Sequence, residues 1–191
     1  KGHFIEVSRT DLIAGYQGQT ALKVKNVIEK AKGGVLFIDE AYSITENENS
    51  DSYGRECLTE LTKALEDYRD DLVVIVAGYT RPMEQFFSSN PGLKSRFNYF
   101  IEFENYVPDE LLKILEFLCQ KDDYRLSDNL KLKLINYFKT SILNDEKNFS
   151  NGRFVRNIYE NLVMNQSVRL DKAKINDIAV LSLLRSCDFE A

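Results

Sequence analysis

Residues 33–41 read Gly33-Gly34-Val35-Leu36-Phe37-Ile38-Asp39-Glu40-Ala41. A short run of large apolar side chains enters from a diglycine and ends on two adjacent carboxylates. A run this short, bounded by glycine, reads as a strand buried on both faces. Acids at the carboxyl end of such a strand sit at the rim of a parallel sheet, where α/β proteins bind ligands. Asp39 is then placed to hold a magnesium ion, and Glu40 to polarise a water for attack on a phosphate. Apolar strands ending in Asp-Glu also arise by chance, so the neighbouring segments decide the reading. No GxxxxGKS/T phosphate loop occurs in the 191 residues.

Working outward, residues 3–8 (HFIEVS) can form a strand, and residues 20–32 place Leu22, Val24, Val27, Ile28 and Ala31 near one helical face. Residues 45–54 (TENENSDSYG) are polar, acidic and turn-rich, which predicts an exposed loop. Cys57, Leu58, Leu61, Leu65 and Tyr68 follow helical spacing, and residues 72–77 (LVVIVA) are a second apolar run ending at Gly78. Residues 99–103 (YFIEF) make a third strand candidate. This alternation predicts a parallel sheet covered by helices.

After Pro108 the pattern changes to helix alone. Leu111, Leu112, Leu115 and Leu118 mark one helix. Leu130, Leu134, Ile135 and Phe138 mark another, with Ser127 as its N-cap, and Phe154, Ile158 and Leu162 mark a third. A shorter helix is expected from about Asp177 to Arg185, with no strand in this half. The composition shift divides the chain into 1–105 and 106–191.

Composition excludes several classes. The apolar fraction of 43% is ordinary for a globular chain, and no apolar run approaches the roughly 18–20 residues of a membrane span. A formal charge of −5 disfavours a nucleic-acid partner. Cys57, Cys119 and Cys187 are far apart and odd in number, and His3 is alone, so no metal-ligand spacing exists. Buried free thiols in a reducing cytoplasm are expected.

Three further features bear on the carboxylate pair. Tyr79-Thr80 ends the second apolar run, where a polar side chain can bond the attacking water or the terminal phosphate; Thr80 equally reads as a turn residue before Arg81-Pro82. In SSNPGLKSRF, Arg96 precedes the third strand candidate and can reach a neighbouring subunit's phosphates, or form a surface salt bridge. Arg153, in Ser150-Asn151-Gly152-Arg153, opens a helix and can bend back towards a triphosphate, or is an ordinary exposed arginine.

Taken in order, the stretches DLIAGYQGQTALKVKNVIEKAKGGVLFIDEAYSI, VVIVAGYTRPMEQFFSSNPGLKSRF and NGRFVRNIYE resemble the AAA+ ATPases. The likeness is to the subgroup of red-type rubisco activases and stage V sporulation protein K, and it runs to about residue 170. It implies an α/β fold: a partial AAA+ parallel sheet flanked by helices, its central first strand missing, followed by an all-α lid domain. Asp39 matches the Walker B aspartate that holds magnesium through water, and Glu40 the catalytic glutamate. Thr80 falls at the sensor-1 position, where many relatives carry asparagine. Arg96 matches an arginine finger acting in trans, and Arg153 the sensor-2 arginine of the lid. Tyr16-Gln17-Gly18 falls on a pore loop that grips a polypeptide; from the residues alone, Tyr16 is an aromatic on a glycine-flanked loop. The implied activity is hydrolysis of ATP with Mg2+ by a cytoplasmic homo-hexamer that remodels a protein substrate.

The departure is the phosphate loop, which in the family precedes the segment matched by residues 3–8, together with the first strand. In the family's sheet order, fifth-first-fourth-third-second, that strand is central. Its absence leaves a gap in the ladder, and unpaired buried backbone groups cost about 1–3 kcal/mol each. The chain alone is therefore expected to fold poorly and be inactive, or to belong to a longer protein. The competing reading is an ATPase-derived interaction or assembly module without its own nucleotide-binding loop.

Overall fold

The computed structural model describes residues 2–16, 18–45, 52–144, 149–173 and 177–190. Two units divide between Glu102 and Phe103.

The first unit is built on three parallel strands: β1 (Phe4–Val7), β2 (Val35–Ile38) and β3 (Val73–Val76). They lie in the order β1-β2-β3, with Val7 opposite Ile38 and Ile38 opposite Val76. This is the second-third-fourth part of the sheet order implied by the resemblance. Between β1 and β2 come α1 (Arg9–Leu12) and α2 (Gln19–Ala31). After β2 a 3-10 turn (Ala41–Ile44) precedes α3 (Ser52–Asp67), and after β3 come α4 (Thr80–Ser88) and α5 (Pro91–Lys94). Parallel strands need such helical crossovers, and the β-branched runs supply the strands.

Every other residue of β2, Leu36 and Ile38, is fully buried, while Val35 and Phe37 are half-buried. The middle strand is thus covered completely on one face and partly on the other. Val24, Ile28 and Ala31 of α2 join Cys57, Leu58 and Leu61 of α3, with Phe86 and Leu93, in one apolar cluster around the strand. Each of the larger aliphatic and aromatic side chains among them contributes about 1.5–3 kcal/mol when removed from water.

The third strand candidate does not form. Residues 97–107 have no regular structure, and Tyr99, Ile101 and Phe103 are 88%, 80% and 90% exposed. On β3, Val73 and Ile75 stay exposed as well. Apolar alternation in YFIEF encodes strand character, but a strand forms only where a ladder partner lies alongside. Asn90-Pro91-Gly92 starts α5: the Asn90 side chain accepts the Gly92 N–H at 2.9 Å and Pro91 takes the first helical position.

The second unit packs α6 (Pro108–Lys121), α7 (Asp128–Asn144) and α8 (Gly152–Ala173) around Leu111, Leu115, Leu130, Leu134, Phe138, Val155 and Leu162. Pro108 opens α6, with Asp109 and Glu110 in the first turn complementing the helix dipole. The expected helix from Asp177 to Arg185 is shorter. It is a single turn, α9 (Ile178–Leu181), followed by β5 (Leu183–Leu184), which pairs in parallel with β4 (Arg125–Leu126). Leu184 enters the core there while the Gln166 amide donates to the Leu181 and Leu183 carbonyls, which helical periodicity could not reveal. Asp188 is buried and held by Arg169 through two bonds, at 2.6 and 3.0 Å. Cys57 and Cys119 are buried free thiols, but Cys187 beside this pair is exposed, against expectation.

Among the described residues, no helix is long and apolar enough to cross a membrane.

Candidate functional site

The parallel register fixes where the carboxylates go. Asp39 follows the last residue of β2, and its N–H bonds the Val7 carbonyl at the end of β1. On the other side, Ala77 N–H bonds the Ile38 carbonyl and Ala41 N–H bonds the Ala77 carbonyl, both near 3 Å. Asp39 and Glu40 therefore stand on the carboxyl rim of the middle strand, between the ends of β1 and β3.

Glu40 has φ 47 and ψ 46, a left-handed conformation that L-residues adopt at a cost of about 1–3 kcal/mol. The surroundings hold it there. Asp39 Oδ1 accepts the Glu40 N–H at 2.9 Å, and the Glu40 carbonyl accepts the Ser43 N–H at 2.8 Å. The Arg9 guanidinium, from the end of β1, bonds the Ser43 carbonyl of the same turn. Both carboxylates are exposed, and among the described residues neither pairs with a cation. Their oxygens are hard donors of the kind that hold magnesium, directly or through water. The residues present thus fit a magnesium ion at Asp39.

Thr80 is brought to the same rim. It is the exposed first residue of α4, after the Gly78-Tyr79 end of β3, with Tyr79 as N-cap. Tyr16 is 74% exposed in the loop between α1 and α2. Gly18 ends that loop at φ 80, which glycine adopts without strain, and caps α2. Buried Thr20 pins the loop by accepting the Ala14 N–H at 3.1 Å. Gln17 lies outside the described residues.

Arg96 is not brought to the rim. It follows α5, and its Nε lies 3.5 Å from Glu66 at the end of α3, while Nη1 donates to the Gly92 carbonyl at 2.8 Å. Because α3 starts at the carboxyl rim and ends where β3 begins, Glu66 lies towards the amino edge of the sheet. Arg96 therefore belongs to the opposite end from Glu40 of its own chain. Arg153 lies in the second unit, exposed at the second position of α8. Asn151, at φ 45, sets that helix start by accepting the Tyr106 N–H and donating to Asn105 and Phe149.

Arg9, Tyr42 and Glu66 shape these positions and escape a sequence reading. Arg9 meets its carbonyl partner across 34 residues, a separation that carries no periodic signal.

Comparisons with known proteins agree with the fold. Residues 1–105 match the family described as "ATPase family associated with various cellular activities (AAA)", and residues 107–191 match the "AAA lid domain". The chain is 44% identical to a CfxQ homolog of Guillardia theta over 91% of this chain and 58% of that protein. It is 42% identical to stage V sporulation protein K of Bacillus subtilis, over 89% of this chain and 53% of that one. To CbbX of Cereibacter sphaeroides it is 39% identical, over 100% and 62%. It thus spans little more than half the length of these relatives. The crystal structure of the FIGL-1 AAA domain in complex with ADP shares the fold, with a TM-score of 0.65 at 17% identity over 96% of this chain and 59% of that one. The chain belongs to the AAA ATPase family, in the subgroup of CfxQ, CbbX and stage V sporulation protein K.

Proposed function

We propose that these residues form the catalytic rim and lid of an ATP-hydrolysing machine that acts on a protein substrate as a homo-hexamer. The observation that carries the reading is the placement of Asp39 and Glu40, without cationic partners among the described residues, on the carboxyl rim where Thr80 also stands. In this reading Asp39 holds Mg2+, Glu40 takes the proton of the attacking water, and Thr80 orients that water or the terminal phosphate. Magnesium, when bound, neutralises charge on the phosphates. The 191 residues contain no GxxxxGKS/T, so the reading assigns phosphate cradling to sequence outside them.

Arg96, at the far end from Glu40, suits a role at a neighbouring subunit's nucleotide. Arg153 of the lid is assigned to the bound triphosphate. Tyr16 and Gly18, with Gln17, form the loop that grips the substrate; the aromatic is exposed and sits on a glycine-flanked loop. Two buried free thiols suit a reducing, cytoplasmic setting.

The test is ATP hydrolysis by the full-length gene product, wild type against Asp39→Asn, across a magnesium titration. The reading expects magnesium-dependent turnover that Asp39→Asn reduces at every magnesium concentration. Equal turnover by the variant overturns it. Absence of turnover in the wild type, with partner binding retained, favours the interaction-module reading.

A further inference from the structure

The turn that carries Glu40 packs an aromatic ring on the end of β3. A β-carbon at Gly78 would stand 2.7 Å from Tyr42 Cδ1 and 2.9 Å from Tyr42 Cε1, with the Met83 sulfur also at 2.9 Å. Real side chains do not approach so closely, so any residue but glycine at 78 has to displace the ring or the strand end. The requirement is space and not backbone freedom: the positive-φ glycines among the described residues are Gly2, Gly18 and Gly33. The Tyr42 ring also meets the Tyr79 ring, with centroids 6.4 Å apart.

The positions on either side give this contact its meaning. Tyr42 lies two residues after Glu40, inside the 3-10 turn. Gly78 lies two residues before Thr80. The Ala41 N–H to Ala77 carbonyl bond ties the same two segments immediately beside the ring. Arg9 fixes the turn from the β1 side through the Ser43 carbonyl, so Tyr42 is the counterpart from the β3 side. Glu40 is held in a left-handed conformation, and a strained residue stays in place only when its neighbours over-determine it.

We propose that Tyr42 is a positioning residue: its ring, seated on Gly78, aligns the turn carrying Glu40 with the strand end carrying Thr80. The inference rests on the assignment of Glu40 and Thr80 to nucleotide hydrolysis. Tyr42 touches no reacting atom. It acts by fixing the relative placement of two groups that do, where an error of an ångström is costly.

The experiment uses the full-length protein with Tyr42→Phe, Tyr42→Leu, Gly78→Ala and Glu40→Gln, reading kcat, KM for MgATP and Tm for each. Tyr42→Phe keeps the ring and stays within about twofold of wild type. Tyr42→Leu and Gly78→Ala lower kcat by about 10- to 100-fold with KM within about threefold. The double variant Tyr42→Leu/Gly78→Ala is no slower than the slower single one, because both act on one contact. Wild-type kcat in folded Tyr42→Leu and Gly78→Ala, with Glu40→Gln inactive, overturns the coupling and leaves the Glu40 assignment standing. A loss carried by KM alone also overturns it. Full turnover by Glu40→Gln overturns the assignment beneath, and the coupling with it. If Gly78→Ala does not fold, the contrast between Tyr42→Phe and Tyr42→Leu decides.

Discussion

Arg96 Nε stands 3.5 Å from the Glu66 carboxylate, at the end of the sheet away from Glu40. The pair is partly exposed, so it contributes at most about 1 kcal/mol to stability. An arginine that served only this pair would be dispensable. One that reaches a neighbouring subunit's phosphates would not.

Arg96→Ala in the full-length protein is therefore expected to lower ATP turnover by about 10³-fold or more while shifting stability by less than about 1 kcal/mol. Glu66→Gln breaks the same pair from the other side and is expected to leave turnover unchanged. Parallel turnover assays and denaturant titrations check both. Equal effects of the two variants on turnover would contradict a role in trans.

Gly34 stands close against the backbone leading into β1. A β-carbon there would stand 2.3 Å from the His3 carbonyl oxygen, next to the Val35 N–H bond to that same oxygen. Gly34→Ala has to part β1 from β2 and is expected to destabilise the first unit by about 1–3 kcal/mol. A denaturant titration measures this.

Asp11 accepts the Ser8 N–H at 2.9 Å and the Ser8 hydroxyl at 2.8 Å. The backbone bond, then the hydroxyl bond, hold its carboxyl below the usual aspartate range, assisted by Lys23. A depressed folded-state value means that the contribution is fully present above the ordinary aspartate pKa near 4 and is lost as pH falls through the lower folded value. Asp11→Asn is expected to flatten that acid limb of the stability profile and to leave the slope above pH about 6 unchanged. Thermal melts across pH 2–7 read the difference.

The exposed run Tyr99-Phe100-Ile101 and the exposed β3 residues Val73 and Ile75 give the isolated 191-residue chain an apolar, strand-forming surface. Such surfaces pair between molecules. Ile101→Lys is expected to raise the soluble fraction of the isolated chain, read by light scattering, with no change in thermal stability. An unchanged soluble fraction would place the association elsewhere.

Much of this was legible in the residues. The three parallel strands are β-branched runs bounded by turn residues, and periodic leucines mark the long helices of the second unit. The carboxylate pair was readable because it ends a strand whose register with its neighbours follows from the alternation. What escaped depends on distant partners. YFIEF carries strand character but forms no ladder, and β4 and β5 are two residues each, too short for any period. Cys187, expected to be buried, is exposed, because the adjacent Asp188 turns inward to Arg169. The left-handed backbone at Glu40 and the ring of Tyr42 on Gly78 are products of packing across the rim, with no local signature.

The most direct measurement is the nucleotide retained by the full-length Glu40→Gln protein after incubation with radiolabelled ATP and magnesium. If Glu40 takes the proton of the attacking water, the variant retains ATP without converting it, whereas wild type yields ADP. Recovery of ADP from the variant at the wild-type rate would contradict the account.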